Sequence, residues 1–183
     1  MDRRQRKTRE AIFSAFVSLL DQKDFSKITV GEIIERADVG RATFYSHFET
    51  KDFLLKELCF ELFCHIFDQT EPERVGHRHI FNCESEGSAF VHLFYHLQRN
   101  DNGILDLLSG RNNELFLCYF KNSLKKLVES QLPLFESRKS DKLPVDLWVN
   151  HITSTFIETV RWWIDNGLCE SPETITEYFY LMV

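Results

Sequence analysis

Apolar residues recur at helical spacing along most of this chain, and that spacing limits its fold more than any other feature. Ile12, Phe16 and Leu19 follow it near the start, where we predict a first helix over about residues 3–22. No segment alternates apolar and polar residues over the length of a strand. Because 43% of the 183 residues are apolar, the chain can bury a core. We predict an all-α protein of about nine helices.

Two short helices joined by a tight turn are predicted at about residues 29–48. The first opens at Thr29, which lies three residues before Glu32 and gives the pattern of a capping box. Asp38 stands at the turn, where aspartate tolerates a left-handed backbone better than most non-glycine residues. The second short helix covers about 40–46, and the arrangement is typical of a helix-turn-helix. The apolar residues that would clamp the two helices together are Val30, Ile33, Ala37, Val39, Phe44 and Phe48.

A long connecting helix and a second helical block are predicted after this motif. Thr50 is the expected N-cap of the long helix, which runs to about residue 68. The polar segment 69–87 contains proline and glycine and is predicted to be a linker. We therefore predict a three-helix helix-turn-helix domain at 1–51, joined through the long helix to a helical bundle at 52–183. Further helices are predicted at about 88–98, 104–108, 113–132, 144–166 and 172–182.

The charge of the chain is unevenly distributed. The formal net charge is −6, but residues 1–51 hold ten lysines and arginines against eight acidic residues. A basic end on an acidic body is expected of a protein that brings one end to a polyanion such as DNA. Five of the basic residues lie within the first nine positions: Arg3, Arg4, Arg6, Lys7 and Arg9.

Cysteine usage and hydropathy exclude several other classes of protein. The five cysteines show no pair spacing, so we expect reduced thiols rather than a disulfide framework. No apolar run is long enough to span a bilayer and no secretory signal precedes the first helix, which predicts a cytoplasmic protein without membrane contact. A group formed by Cys59, Cys64 and His65 on one helix is interpreted as core. Because no nucleophile and base pattern is present, we predict no enzymatic activity.

The helix-turn-helix resembles that of the tetracycline-repressor (TetR) family of transcriptional regulators, in the stretch ITVGEIIERADVGRATFYSHFETKDFLL. A Thr-capped helix, a Thr-Phe-Tyr-x-His-Phe recognition helix and a following lysine stand in register within about residues 8–60. The segment FIETVRWWIDNGLCESPETITEYF is similar to the closing segment of a Trp-Trp-containing subgroup of that family. The resemblance implies binding to double-stranded DNA through Thr29, Arg41, Thr43, Tyr45, His47 and Lys51.

These residues have different roles in the resemblance. It implies that Tyr45 and His47 touch phosphates, and that Arg41 and Thr43 lie at or near base edges. The chemistry agrees, because an arginine can hold guanine through two hydrogen bonds and a threonine can donate to or accept from a base. Lys51 would meet a phosphate beside a helix N-terminus.

The first short helix departs from the family pattern. Thr29 would cap it close to the DNA backbone, but Gly31 offers no side chain where many relatives carry a polar residue. Asp38 replaces the usual turn glycine and adds negative charge near DNA. One alternative is a plain helical bundle in which Tyr45 and Phe48 belong to the core. Another, favoured by these departures and by the acidic body, is a TetR-like adaptor or activator that acts mainly through a protein partner.

Residues 52–183 are expected to bind an effector and to form a homodimer. In the family, the last two helices pair with their copies in a four-helix interface, which would explain the aromatic excess here. An ordinary core is the alternative. The predicted interface residues are Trp148, Phe156, Trp162, Trp163, Tyr178 and Phe179. Relatives commonly hold a small molecule between the middle helices, and the candidate polar pocket residues are His92, His96, Asn113, Cys118, His151 and Arg161.

Several histidines raise the question of a metal site. His92 and His96 lie at i and i+4 on one helix face, with His77, His79 and Cys83 nearby in sequence. Their spacing matches no standard zinc pattern, and histidines on an amphipathic helix are usually hydrogen-bonded bystanders. We predict no metal site and no cofactor.

The leading prediction is thus a DNA-binding transcriptional regulator of the repressor kind, with the adaptor or activator as the alternative. Two recognition helices one DNA turn apart, roughly 34–36 Å, would read a palindromic operator as a dimer. A small-molecule effector would release the operator by binding preferentially to a dimer whose recognition helices are wrongly spaced.

Overall fold

The computed structural model describes residues 3–20, 22–70, 88–100, 103–109 and 114–183. Within these ranges the chain forms nine α-helices and no strand, which confirms the all-α prediction. None of these helices combines the length and the apolarity needed to cross a membrane. Residues 71–87, which include His77, His79 and Cys83, lie outside the described ranges, and so does Asn113.

Four helices form the N-terminal part of the structure: α1 (Arg3–Leu20), α2 (Val30–Arg36), α3 (Arg41–His47) and α4 (Lys51–Thr70). A 3₁₀ turn at Phe25–Lys27 lies between α1 and α2. Phe16 of α1 and Ile33 of α2 are fully buried, because their helical spacing places them on the faces that meet. α4 starts after Thr50, whose hydroxyl accepts a hydrogen bond from the Phe53 backbone N–H at 3.0 Å, as the capping pattern predicts.

Five helices follow: α5 (Ala89–Gln98), α6 (Ile104–Ser109), α7 (Glu114–Ser130), α8 (Val145–Asp165) and α9 (Pro172–Met182). α4 packs against α5 and α7, while α9 packs against α5 and α8. Leu54 and Leu58 in the first half of α4, and Leu62 and Ile66 in its second half, belong to one continuous hydrophobic cluster. α4 therefore connects the helix-turn-helix to the C-terminal helices through buried side chains.

The connection between α8 and α9 follows local sequence signals. Gly167 comes after the end of α8 with φ 71°, in the left-handed region where glycine has no Cβ penalty. The Ser171 hydroxyl accepts a hydrogen bond from the Thr174 backbone N–H at 3.3 Å, and Pro172 is the first residue of α9. Proline is favoured at this position because it has no N–H to leave unpaired.

Aromatic side chains from α5, α8 and α9 meet inside the subunit. The ring centroids of Phe94 and Phe156 are 4.6 Å apart, and those of Phe156 and Phe179 are 5.3 Å apart. We predicted Phe156 and Phe179, together with Trp148 and Trp163, as dimer-interface residues, but the four side chains are at most 8% exposed in a single subunit. They form the core instead, because helical spacing marks a buried stripe without showing which neighbour covers it.

Candidate nucleic-acid interface

The start of α2 is held by Thr29 and Glu32. The Thr29 hydroxyl accepts a hydrogen bond from the Glu32 backbone N–H at 3.3 Å, and the Glu32 carboxylate accepts one from the Thr29 backbone N–H at 2.9 Å. The hydrogen bond from Lys23, followed by those from Thr29, lowers the pKa of Glu32 to about 2. The capping box is confirmed, and its ionised carboxylate lies where the dipole of α2 favours negative charge.

The turn between α2 and α3 is closed at Asp38. This residue has φ 52°, in the left-handed region that aspartate tolerates better than most residues. The Val39 backbone N–H donates to the Ile34 carbonyl at 3.0 Å, which ties the turn back to α2. The Asp38 side chain is exposed. The turn conformation is as predicted, and the negative charge lies on the surface between the two short helices.

Aromatic side chains anchor the inner face of α3. Phe44 and Phe48 are both fully buried. The ring of Phe48 meets that of Phe13 on α1 edge-on, with the centroids 5.3 Å apart, and Phe44 lies 6.0 Å from Phe48. Burying one phenylalanine side chain contributes about 2 kcal/mol, so the pair holds α3 firmly against α1.

The outer half of α3 is polar and open to solvent. With 3.6 residues per turn, Ala42 and Ser46 lie opposite Phe44. Arg41 and Tyr45 then flank one side of that line, and Thr43 and His47 flank the other. Arg41 and Thr43 are exposed, Tyr45 is 46% exposed and His47 is half-buried. The alternative that placed Tyr45 in the core is therefore wrong for Tyr45, although Phe48 is a core residue.

The basic N-terminal segment contains one residue with a structural role. The Arg9 guanidinium pairs with Glu57 of α4 at 2.5 Å and with Glu61 at 3.7 Å. Its central carbon also lies 5.0 Å from the ring centroid of Phe13 and 4.9 Å from that of Phe48. Arg9 thus joins α1 to α4 beside the residues that anchor α3. The exposed bases of the segment are Arg3, Arg4, Arg6 and Lys7.

Lys51 is held by the backbone that precedes α2. Its ammonium donates to the carbonyl oxygens of Phe25 at 3.0 Å, Ser26 at 3.4 Å and Ile28 at 2.9 Å, and lies 4.5 Å from the Phe25 ring centroid. An ammonium has three donors, and these carbonyls engage all of them. The structure therefore gives Lys51 a role in fixing the 3₁₀ turn to α4, and a phosphate contact would require it to leave the three carbonyls.

Five of the six candidate effector-pocket residues lie in the described part of the chain, and these five do not line one common cavity there. His92 and His96 are buried on α5, whereas Cys118, His151 and Arg161 are exposed. The ring of His151 stacks on that of Trp148 at 5.3 Å, and Arg161 pairs with Glu158 at 2.8 Å. A cavity beside Arg161 holds only about 10 Å³, room for about one water. These polar residues therefore do not form the single pocket that we predicted.

Three buried histidines converge between α4 and α5. His65 of α4 lies beside His92 and His96 of α5, and one ring nitrogen from each of the three lies within 4.8 Å of the other two. Sequence spacing did not show this group, because His65 is far from the other two along the chain. The available signal was that all three histidines stand among apolar residues at helical spacing, which places them on buried helix faces.

A wide apolar groove lies on the outer face of α8 and α9. It encloses about 850 Å³. Trp162 on α8 and Tyr178 on α9 line it and are 46% and 39% exposed, with their ring centroids 6.2 Å apart. Leu181, also in the groove, is 74% exposed. Two of the predicted interface residues, Trp162 and Tyr178, therefore lie on an exposed surface.

Comparison with known proteins places the chain in a family. Residues 12–58 match the family described as bacterial regulatory proteins of the tetR family, and residues 84–183 match a transcriptional regulator C-terminal region. A TetR transcriptional regulator from Streptococcus agalactiae 2603V is 37% identical with a TM-score of 0.77, and the match covers 100% of this chain and 96% of that one. The chain belongs to the tetR family. TetR-family proteins are regulators and not enzymes, so the protein is a transcriptional regulator.

Other TetR-family relatives are more distant. An uncharacterized HTH-type transcriptional regulator of Bacillus subtilis (strain 168), YxbF, is 24% identical over 189 residues. That match covers 98% of this chain and 45% of YxbF, so the chain spans less than half the length of that relative. The FadR regulator of Bacillus subtilis, solved in complex with stearoyl-CoA, is 19% identical with a TM-score of 0.60, and the match covers 93% of this chain and 94% of FadR. At that identity FadR shares the fold.

Proposed function

We propose that this TetR-family regulator is a repressor that reads a palindromic operator as a homodimer and leaves it when an effector binds. The outer half of α3 carries the proposal. It is a polar, solvent-exposed helix face whose opposite side is locked by the buried rings of Phe44 and Phe48. A helix of this kind can enter the major groove while the first short helix crosses the backbone.

The two flanks of α3 suit different contacts with DNA. Arg41 stands at the first turn of α3, the part of a recognition helix that reaches base edges, where it can hold a guanine through two hydrogen bonds. Thr43 adds a hydroxyl on the other flank. Tyr45 and His47, one turn further along, suit phosphate contacts on either side of the groove. In this proposal Thr29 also lies close to the DNA phosphate backbone, although its hydroxyl already takes part in the capping box.

Two copies of the chain pair through α8 and α9 in this proposal. The groove with Trp162, Tyr178 and Leu181 leaves aromatic and aliphatic surface in water on a single subunit, and such patches mark interaction sites. A two-fold pairing places the same surface on both partners and closes a four-helix interface. We also propose that the chain belongs to the Trp-Trp-containing subgroup of the family, because Trp162 and Trp163 are adjacent.

Release from DNA by an effector is supported by the connection between the two parts of the chain. Three residues separate α3 from α4, and α4 packs against α5 and α7. A ligand that favours one arrangement of these C-terminal helices therefore biases the position of α3. The distant relative FadR holds stearoyl-CoA, which supports an effector among the C-terminal helices here.

Sequence-specific DNA binding is tested by fluorescence anisotropy with duplexes from the region upstream of the protein's own gene. The wild-type protein should bind one palindromic site at low salt. Arg41→Ala should weaken that binding by about 1–3 kcal/mol and relax base preference at one position in each half-site. Tyr45→Phe should weaken binding to all sequences alike, because it removes a phosphate contact.

Lys126→Ala is the matched control, since Lys126 is an exposed base on α7, away from α3. It should leave DNA affinity unchanged. Absence of binding by the wild-type protein at low salt, or equal affinity in the Arg41→Ala, Tyr45→Phe and Lys126→Ala variants, would overturn DNA reading through α3.

A further inference from the structure

The three buried histidines between α4 and α5 come from two helices that the chain brings together. His92 and His96 lie one turn apart on α5, and His65 faces them from α4. The ring centroids are 4.9 Å apart for His65 and His92, 4.9 Å for His65 and His96, and 4.8 Å for His92 and His96. The Nε2 atoms of His92 and His96 are 3.0 Å apart. One nitrogen of each ring lies within 4.8 Å of the nitrogens offered by the other two, so the three rings form one compact group.

These rings lie in an apolar interior. His65 is 6%, His92 3% and His96 2% exposed. The three rings are therefore shielded from water and lie close to one another. An imidazole in its neutral form offers a lone pair to a metal ion.

We propose that His65, His92 and His96 bind one divalent transition-metal ion, with Zn²⁺ as the representative. Three imidazole nitrogens suit Zn²⁺ and its neighbours Co²⁺, Ni²⁺, Cu²⁺ and Fe²⁺, whereas Mg²⁺ and Ca²⁺ require oxygen ligands. Tetrahedral nitrogen ligands at 2.0–2.1 Å from Zn²⁺ lie roughly 3.3 Å apart. The 3.0 Å between the Nε2 atoms of His92 and His96 is close to that spacing.

The arrangement leaves one coordination position for water or a small anion. A set of three histidines fills three corners of a tetrahedron, which is the pattern of an open site rather than a closed structural one. Zinc-binding sequence patterns join ligands that lie close together along the chain. The third ligand, His65, comes from another helix, so the pattern is visible only after folding.

The position of the site suggests what the ion does, and this step depends on the proposed function. α4 follows directly after α3, and an ion bound to His65 and to α5 ties α4 to the C-terminal helices. The ion therefore favours one arrangement of α4 and changes DNA affinity by its difference in affinity for the two arrangements. In this way the metal ion is itself the effector.

Metal binding is tested first, without DNA, by titrating the metal-free full-length protein with Co²⁺. The wild-type protein should bind one Co²⁺ per chain, with the intense visible bands of a four-coordinate ion that excess Zn²⁺ abolishes. His65→Gln and His96→Gln should each weaken Co²⁺ binding by about 100-fold or more, since even outer-shell partners are worth 10–100-fold. His151→Gln is the matched control, because His151 is exposed on α8 outside the group.

X-ray absorption of the Zn²⁺-loaded wild-type protein tests the ligands directly, so the result does not depend on whether the variants fold. It should show three imidazole ligands. Fewer than three imidazoles, no saturable binding by the wild-type protein, or undiminished binding in the His65→Gln and His96→Gln variants would overturn the site. The three rings would then be a hydrogen-bonded core group.

The regulatory step is tested with operator DNA. Dissociation constants of the metal-free and Zn²⁺-loaded wild-type protein should differ by at least about fivefold, the lower range of allosteric coupling. The His96→Gln variant should show no such difference. Equal affinities with an intact Co²⁺ spectrum would overturn the effector role and leave the metal site standing. A metal site in a protein that binds no DNA in either form would overturn the proposed function instead.

Discussion

At the scale of single residues, two cations near the recognition helix serve the fold. Lys51 binds three backbone carbonyls, and Arg9 pairs with Glu57 and Glu61 while lying over two aromatic rings. Both residues stand beside the surface that would meet DNA, and charge alone would assign both to phosphates. Their hydrogen-bond partners show that they position the motif.

Lys51→Met should destabilise the protein more than it weakens DNA contacts. The substitution leaves the carbonyls of Phe25, Ser26 and Ile28 without their charged donor. Hydrogen bonds to charged groups contribute about 1.5–3 kcal/mol, so we expect the free energy of unfolding to fall by about 2 kcal/mol. Urea denaturation followed by circular dichroism measures it.

Lys56→Met provides the comparison, since Lys56 is an exposed lysine on the same helix. Its unfolding midpoint should stay at the wild-type value. If Lys51→Met kept wild-type stability and lost DNA affinity alone, Lys51 would be a phosphate contact, as the family resemblance implies.

At the scale of elements, the stability of α2 and α3 depends on capping at the helix ends and on packing against neighbouring helices. Each has seven residues, well below the roughly 12–15 residues at which an isolated helix becomes marginally stable. α2 is supported by the capping box at Thr29, and α3 by the buried Phe44 and Phe48. The geometry of the motif is thus fixed at one helix start and one aromatic cluster.

Thr29→Ala should loosen α2, whereas Thr29→Ser should not. Alanine cannot accept the hydrogen bond from the Glu32 backbone N–H, and loss of an N-cap costs about 1 kcal/mol. Serine keeps the oxygen. Amide hydrogen exchange should show faster exchange across α2 in the alanine variant. Equal exchange in the two variants would mean that packing alone holds the helix.

At the scale of the whole molecule, one of two adjacent tryptophans lies in the core and the other lies on the surface. Trp163 is fully buried and its indole N–H donates to the Glu170 carbonyl at 3.1 Å. Trp162 lies in the groove of α8 and α9 and is 46% exposed. Because successive helical residues point about 100° apart, one tryptophan joins the core while the next is available to a second subunit.

Trp162→Glu should therefore convert the proposed dimer to a folded monomer. A charge in an apolar interface is costly on both partners of a two-fold pair, yet it is solvated on the single subunit. Trp163→Ala should instead cost about 3–5 kcal/mol of stability, as truncation of a buried tryptophan does. Analytical ultracentrifugation and thermal melts measure the two effects. A dimeric Trp162→Glu variant would remove this groove from the interface.

Much of the helical framework could be predicted from local sequence. The capping box at Thr29, the cap at Thr50 and the left-handed Asp38 all appear in the structure as predicted. Each depends on hydrogen bonds or backbone preferences within a few residues, so each is encoded where it occurs. Arg41 and Thr43, which the family resemblance indicated, are exposed on α3.

The sequence by itself therefore determined the helices, their caps and the family of the motif. Tertiary structure alone decided that His65 meets His92 and His96, that Lys51 caps the carbonyls of a distant turn, and that Trp163 is core. The physical reason is the distance along the chain between the residues that interact. Capping and periodicity act within about four residues, whereas these contacts join residues far apart in the chain and depend on how all the helices pack together.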